Sequence, residues 1–277
     1  MKNDDKDYKK TATHGAFSGI IAKSIVAPLD RLKIIFQTTQ YKFTWKNLFL
    51  ESNKLIKNEG GVHKLWKGNM VQILRVAPNA SLSFSLQKYY KSKFTNSEGK
   101  LTTINGYIIG LLSGTTCSLI LHPLDTLRCR VAVDISKTST HGIIKNIIKT
   151  QGIFSLYSGI TVSTLSMMPY SSLSWGTYYY LNNTIEKYDS PIILNKNAPV
   201  IHAFTGFSSV LFAQSIVYPF DVWRRRIQTN TKNTQIQILE NIMKENALFK
   251  GLSINFIKTP TINGLVMLIY KILEQNY

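Results

Sequence analysis

Three prolines recur at intervals of 95 and 96 residues, and each opens the same kind of string. The strings are Pro28-Leu29-Asp30-Arg31-Leu32-Lys33, Pro123-Leu124-Asp125-Thr126-Leu127-Arg128 and Pro219-Phe220-Asp221-Val222-Trp223-Arg224. A second set, Pro78, Pro169 and Pro260, recurs at 91 and 91. Ahead of each of these stands an aromatic-x-Gly: Trp66-Lys67-Gly68, Tyr157-Ser158-Gly159 and Phe249-Lys250-Gly251. The period is too long for the common solenoids. Three copies of a two-helix unit give six helices, each carrying one proline that removes a backbone hydrogen bond and kinks the helix.

Charge placement says where those helices lie. The chain carries 33 Lys+Arg against 15 Asp+Glu, a net +18. Yet Leu101–Leu124, Thr150–Ile185 and Asn197–Phe220 contain no charged side chain. Runs of 24, 36 and 24 residues exceed the roughly 20 apolar residues that cross a bilayer. The expected fold is therefore an all-α membrane protein of six spans in three tandem repeats. Tandem repeats of spans point to a transporter with its site between the repeats. The 31 aromatics, with abundant Ile and Leu, exclude disorder. The opening decapeptide mixes acids with lysines and is no secretory leader. Cys117 and Cys129 are about 18 Å apart along one expected helix, so they form no disulfide.

The expected helices are 11–37, 71–90, 104–133, 160–181, 200–228 and 253–273, with a short amphipathic surface helix over 45–57. The repeats are read as 11–100, 101–196 and 197–277, behind a polar tail of 1–10. Gly15 and Gly19, then Gly106, Gly110 and Gly114, stand at the four-residue spacing that permits close helix contact.

Three expected spans are each interrupted by one cation. Lys23 follows the uncharged stretch 11–22, Arg75 divides 70–74 from 76–87, and Lys258 precedes 259–270. A charge near the bilayer centre costs a few kcal/mol or more unless it meets water or a partner. No acid of similar depth is evident, so a polyanion with several phosphates is the expected partner. In each proline string the acid and base are three apart, the spacing of a local helical pair. Three symmetric copies equally suit an interhelical ring.

The three Pro-x-Asp-x-x-Lys/Arg strings, each followed by an aromatic-x-Gly, resemble the mitochondrial carrier family over nearly the whole chain. The segment from Ala22 to Gln37 and the string Asp221-Val222-Trp223-Arg224-Arg225-Arg226-Ile227-Gln228 are similar to its adenine-nucleotide and coenzyme A branch. The resemblance implies six tilted helices about a pseudo-threefold axis, three short matrix-side surface helices, and the mitochondrial inner membrane. It implies alternating access and no catalysis. Substrate contacts fall on Lys23, Arg75, Ser166, Met167 and Lys258, where Ser166 replaces the usual glycine. The proline kinks are Pro28, Pro123 and Pro219. A matrix gate would pair Asp30 with Arg128, Asp125 with Arg224, and Asp221 with Lys33, braced by Gln37 and Gln228. Ala132 leaves the second repeat without a brace.

The cytoplasmic gate departs from the family pattern. Where acids belong the chain has Lys88, Tyr179 and Tyr270, and where cations belong it has Lys91, Asn182 and Leu273. The expected cargo is coenzyme A, exchanged for adenosine 3′,5′-diphosphate or adenine nucleotides. An ADP/ATP or ATP-Mg/phosphate exchanger is the alternative, and a degenerate, non-transporting scaffold is another. The expected partners are that anion and anionic inner-membrane lipid, cardiolipin included; nucleic acid is not one. The chain is expected to act as a monomer, without metal or cofactor. The histidines are scattered, and neither paired catalytic carboxylates nor a nucleophile triad is evident.

Overall fold

The structure is a computed structural model that describes residues 2–39, 41, 43–94, 103–136, 138–188, 191–230 and 233–276. Six long helices carry the chain: α1 (Lys2–Thr38), α3 (Asn69–Phe94), α4 (Thr103–Val133), α6 (Ile160–Tyr188), α7 (Pro191–Thr229) and α9 (Leu252–Asn276). Three short ones join them in pairs: α2 (Trp45–Glu59), α5 (Thr140–Gln151) and α8 (Gln235–Lys244). Within each repeat α1 packs on α3, α4 on α6 and α7 on α9. Between repeats α3 packs on α4, α6 on α7, and α9 returns to α1, so the helices close into a ring.

Two boundaries differ from the sequence reading. α1 begins at Lys2 rather than near residue 11. The start of α7 at Pro191 places 196–197 inside a helix, so the link between the second and third repeats lies before it. Proline is well suited to a helix start, because its missing N–H is not needed there.

The short helices are built alike. Thr44, Ser139 and Thr234 each cap an N-terminus by accepting a hydrogen bond from the backbone N–H of Asn47, Gly142 and Gln237 respectively. Such caps are worth about 1 kcal/mol each. Gly60 and Gly152 end α2 and α5 with positive φ, and Asn246, at φ 50°, follows the end of α8. Each short helix buries an apolar face against its own repeat, with Leu48 and Leu55, Ile143 and Ile147, and Ile238 and Ile242 as the anchors.

The aromatic-x-Gly glycines explain themselves. Gly68, Gly159 and Gly251 have φ of 89°, 77° and 84°, a region costly for residues with a Cβ. A Cβ there would also lie 3.3 Å from Arg128 O, 3.3 Å from Ile227 Cγ2 and 3.1 Å from Tyr218 Oη. The four-residue glycine series does not pack in this way. A Cβ at Gly15, Gly19 or Gly114 would meet nothing within 4 Å, so these mark no tight crossing; the side-chain surroundings of Gly106 and Gly110 lie outside the described residues.

Polarity is distributed inside out. Phe17, Ile25, Met70, Leu74, Phe204, Met267 and Leu268 are all more than half exposed, while Asp30, Arg31, Lys33, Gln37, Asp125 and Gln228 are buried. Exposed apolar area on this scale marks a surface that meets something other than water. Among the described residues one stretch, Leu252–Tyr270, is long and apolar enough by composition to cross a membrane.

Candidate functional site

The three proline strings bring their acids and bases together at the end of the bundle where α2, α5 and α8 lie. Arg128 Nη2 is 2.8 Å from Asp30 Oδ2, Lys33 Nζ 2.9 Å from Asp221 Oδ2, and Arg224 Nη2 3.4 Å from Asp125 Oδ2. Each pair joins different repeats. The i,i+3 partners within a string form no ion pair, because the ring geometry turns each base toward the acid of the preceding repeat, the first repeat's base meeting the third repeat's acid.

The deep cations do not stand alone, contrary to the sequence expectation. Arg75 Nη1 lies 2.7 Å from Asp125 Oδ1, and Lys258 Nζ lies 2.7 Å from Asp30 Oδ1. Two ring aspartates therefore serve two cations each, one from the ring and one from α3 or α9. Spacing along the chain hid this, since Arg75 and Asp125 are brought together only by the packing of α3 on α4. The third aspartate, Asp221, takes its second cation from its own helix, Arg225 at 3.7 Å. The Arg75 contact is an ion pair without hydrogen-bond alignment, and Arg75 Nε is buried without an acceptor. Lys23 makes no ion pair among the described residues, but lies in the field of Arg75, Arg128, Lys258 and Asp30.

The remaining expected residues divide. Gln37 Nε2 donates to Asp221 Oδ2 at 3.2 Å and to Tyr218 Oη at 3.0 Å. Gln228 instead donates to Thr126 Oγ1 at 3.4 Å and accepts from Arg225 at 3.2 Å, beside the Asp125–Arg224 pair rather than on it. Ser166 is buried and donates to Ser163 O of its own helix at 2.8 Å, while Met167 is half-buried. At the opposite end Lys88 is exposed, and the ring of Tyr270 sits edge-on to His14 at 6.3 Å. The side chains of Tyr179 and Asn182 lie outside the described residues.

A second layer, missed in the sequence, underlies the ring. Arg31, Arg130 and Arg226 each donate Nε to the last turn of the neighbouring repeat's odd helix, at Ala132 O (2.9 Å), Gln228 O (2.8 Å) and Gln37 O (2.9 Å). Their Nη atoms return to their own repeat: Arg31 to Glu59 at 2.6 Å, Arg130 to Gln151 at 2.8 Å and Arg226 to Glu245 at 2.7 Å. Arg130 and Arg226 follow their aspartates by five, but Arg31 follows Asp30 by one. The side chain that would sit five after Asp30 is Ile35, one helical turn from Arg31 on the same face. That displacement concealed the symmetry; Glu59-Gly60 and Gln151-Gly152 at the ends of α2 and α5 were the available signal.

Below this layer the x of each aromatic-x-Gly reaches the same helix ends. Lys67 Nζ donates to Asp134 O at 2.8 Å and Ser136 O at 2.7 Å, Lys250 Nζ to Thr39 O, and Ser158 Oγ to Ile227 O at 3.1 Å. Burial, and then the Arg226 guanidinium, push the Lys250 ammonium down to about 8, with Glu245 opposing. Burial works against the Asp134 carboxylate, yet hydrogen bonds from Ser136 and Lys67 hold its carboxyl below the usual range.

Comparison with known proteins agrees with this threefold arrangement. The family model described as mitochondrial carrier protein matches residues 4–98, 99–189 and 195–277. The chain is 33% identical to the mitochondrial coenzyme A transporter SLC25A42 of Xenopus laevis, covering 94% of this chain and 83% of that protein. It is 32% identical to the Homo sapiens protein of the same name, over 99% and 89%. It is 29% identical to mitochondrial substrate carrier family protein P of Dictyostelium discoideum, over 94% and 91%. Three matched repeats and three pseudo-equivalent layers of contacts make one statement: the chain belongs to the mitochondrial carrier family, the multi-pass transporters of the mitochondrial inner membrane.

Proposed function

We propose that the chain carries coenzyme A across the inner membrane by alternating access, in exchange for adenosine 3′,5′-diphosphate or an adenine nucleotide. The observation that carries this reading is the pairing of Arg75 with Asp125 and of Lys258 with Asp30, with Lys23 left unpaired in their field. All six long helices span the membrane, and the ion-pair ring is the gate on the matrix side. The similarity to proteins named coenzyme A transporters selects this cargo among phosphate-rich anions.

The chemistry follows from the shared aspartates. A phosphate entering from the opposite end meets Lys23 first, since that ammonium has no carboxylate of its own. Arg75 Nε offers a further free donor. A dianionic phosphate competes with a single carboxylate for Arg75 and Lys258, and guanidinium binds it with a planar fork. As these cations transfer to substrate, Asp125 keeps only Arg224 at 3.4 Å and Asp30 keeps Arg128. Substrate binding thus takes one of two cations from two of the three ring aspartates and removes the ties from α3 to Asp125 and from α9 to Asp30 that the closed state makes, which is the differential interaction a ligand needs to shift an equilibrium. Met167 and Ser166 on α6 are proposed to meet the uncharged part of the cargo.

The test is uptake by purified protein in liposomes, with labelled coenzyme A, dephospho-coenzyme A, adenosine 3′,5′-diphosphate, ADP and ATP compared. Uptake of coenzyme A that is driven by internal adenosine 3′,5′-diphosphate or ADP is the expected result. Exchange of ADP for ATP without coenzyme A uptake would reassign the cargo. Absence of uptake for all five would leave a membrane scaffold.

A further inference from the structure

The three seams at the closed end are pseudo-equivalent in position but not in chemistry. In each, the last turn of an odd helix lies in a cradle formed by the neighbouring repeat. The cradle offers three holds: a ring ion pair, an arginine braced from its own repeat, and the x of an aromatic-x-Gly. Position by position, these holds can be compared.

The tail of α4 rests on the first repeat. Its ring pair, Arg128–Asp30, is 2.8 Å long. Arg31, which holds Ala132 O, is braced by the carboxylate of Glu59. Lys67 brings an ammonium to Asp134 O and Ser136 O and an ion pair to Asp134 Oδ1 at 3.1 Å. The tail of α1 rests on the third repeat in nearly the same way. Its ring pair, Lys33–Asp221, is 2.9 Å long, Arg226 is braced by Glu245, and Lys250 brings an ammonium to Thr39 O.

The tail of α7, resting on the second repeat, differs at all three holds. Its ring pair, Arg224–Asp125, is the longest at 3.4 Å, and Asp125 lies closer to Arg75 than to Arg224. Arg130 is braced by the neutral amide of Gln151 rather than by a carboxylate. The third hold is the hydroxyl of Ser158, where the other repeats place an ammonium. Charge-assisted hydrogen bonds are shorter and roughly twice as strong as neutral ones, and a cation at a helix C-terminus also meets the dipole. The α7 tail does gain a contact from Arg225 to Cys129 Sγ at 2.7 Å, but a thiol is a weak acceptor.

We infer that the closed end parts first at the seam between α4 and α7, with Gln151 and Ser158 as the residues that set this order. The role of the order in transport rests on the carrier reading above; the order itself is a property of the empty protein. Regions of least local stability open most often, so the seam that opens most often without substrate is the one substrate has least to do to release. Asp125, which substrate frees of Arg75 under that reading, stands at this same seam.

The experiment is hydrogen–deuterium exchange on the substrate-free wild-type chain in liposomes, read from peptides over residues 34–39, 130–136 and 225–230. Exchange over 225–230 should be the fastest of the three. The double variant Gln151→Glu/Ser158→Lys installs the residues the other repeats carry at these positions. It should slow exchange over 225–230 by about fivefold or more, the scale of one added charge-assisted contact, and leave 34–39 unchanged. The converse variant Glu59→Gln/Lys67→Ser should speed exchange over 130–136. Faster exchange at either other tail, or no response to Gln151→Glu/Ser158→Lys, would overturn the inference. Uptake of labelled coenzyme A by the same liposomes is scored separately: its failure would count against the carrier reading and not against the order of exchange.

Discussion

The two ends of the bundle are built from the same six helices and hold together by different means. At the end bearing α2, α5 and α8, three aspartates bind cations from neighbouring repeats, and three arginines below them clasp helix ends. At the other end the family's acid positions hold Lys88, Tyr179 and Tyr270. Lys88 is exposed, and Tyr270 meets His14 by a ring edge. An ion pair between helices is directional and is lost as a unit, whereas aromatic edges and hydroxyls tolerate displacement. The difference teaches that the cost of opening is concentrated at one end. Under the proposed function, an empty chain is expected to rest with that end shut until the cargo provides the interaction that releases it.

The largest effect should come from Arg75, which is paired at the closed end and is proposed to bind the cargo. Arg75→Ala should reduce coenzyme A uptake on the order of a hundredfold or more, the loss typical of removing a buried charge from its partners. Near-normal uptake by correctly inserted protein would break the comparison at its centre. Next in size, Lys33→Asp and Asp221→Lys should each cut uptake by about tenfold or more, and the double reversal should restore much of it. This pair lies 188 residues apart in sequence, so restoration would show pairing between helices, while additive losses would remove the ionic account of the shut end.

A smaller effect addresses the open end. In a background of Cys117→Ala and Cys129→Ser, Lys88→Cys and Tyr179→Cys should react with a membrane-impermeant thiol reagent in the empty protein. Reaction should slow by about tenfold once coenzyme A and ADP drive turnover through the opposite state, a shift of about 1.4 kcal/mol in population. Equal rates in both conditions would show that this end does not close. The smallest effect concerns Lys250. Its protonation is disfavoured in the folded chain, with a value of about 8 against 10.5. The unfolded chain therefore binds more protons between those values, and the native state gains stability as pH rises through that window. Thermal unfolding of wild type should improve relative to Lys250→Met between pH 8 and 10.5, by a few degrees at most given partial exposure. An unchanged difference across the window would show that Lys250 titrates normally.

What the sequence revealed was what three copies repeat. The Pro-x-Asp-x-x-Lys/Arg strings gave the helix count and the ring residues, because identical spacing in each repeat places them at one depth. Arg31 escaped, because it reaches a symmetric position from one turn earlier in the helix. The pairing of Arg75 with Asp125 and of Lys258 with Asp30 escaped for a different reason. Both link unlike positions in adjacent repeats, and no internal repeat displays such a contact. Equal spacing after the proline string suggests equal contacts for Gln37 and Gln228, yet only Gln37 donates to a ring aspartate. The Gln228 amide turns instead to Thr126 and Arg225, neighbours that the first repeat does not share. Gly15, Gly19 and Gly114 misled because spacing on one helix says nothing about whether a second helix comes near.

The contact between α1 and the third repeat has a consequence for how the protein is made. Lys33, Gln37 and Thr39 find their partners in Asp221, Tyr218 and Lys250, up to 211 residues later in the chain. Until the third repeat is in place, the first repeat holds a buried lysine with no counter-charge beside it. The second repeat completes the seam with the first, but no arrangement of two repeats satisfies the tail of α1. Only the arrival of α7 and α9 does so, and it closes all remaining contacts together. A chain stopped after two repeats would expose that unmet lysine and glutamine within the lipid, a chemical mark by which quality control could distinguish an unfinished carrier from a finished one.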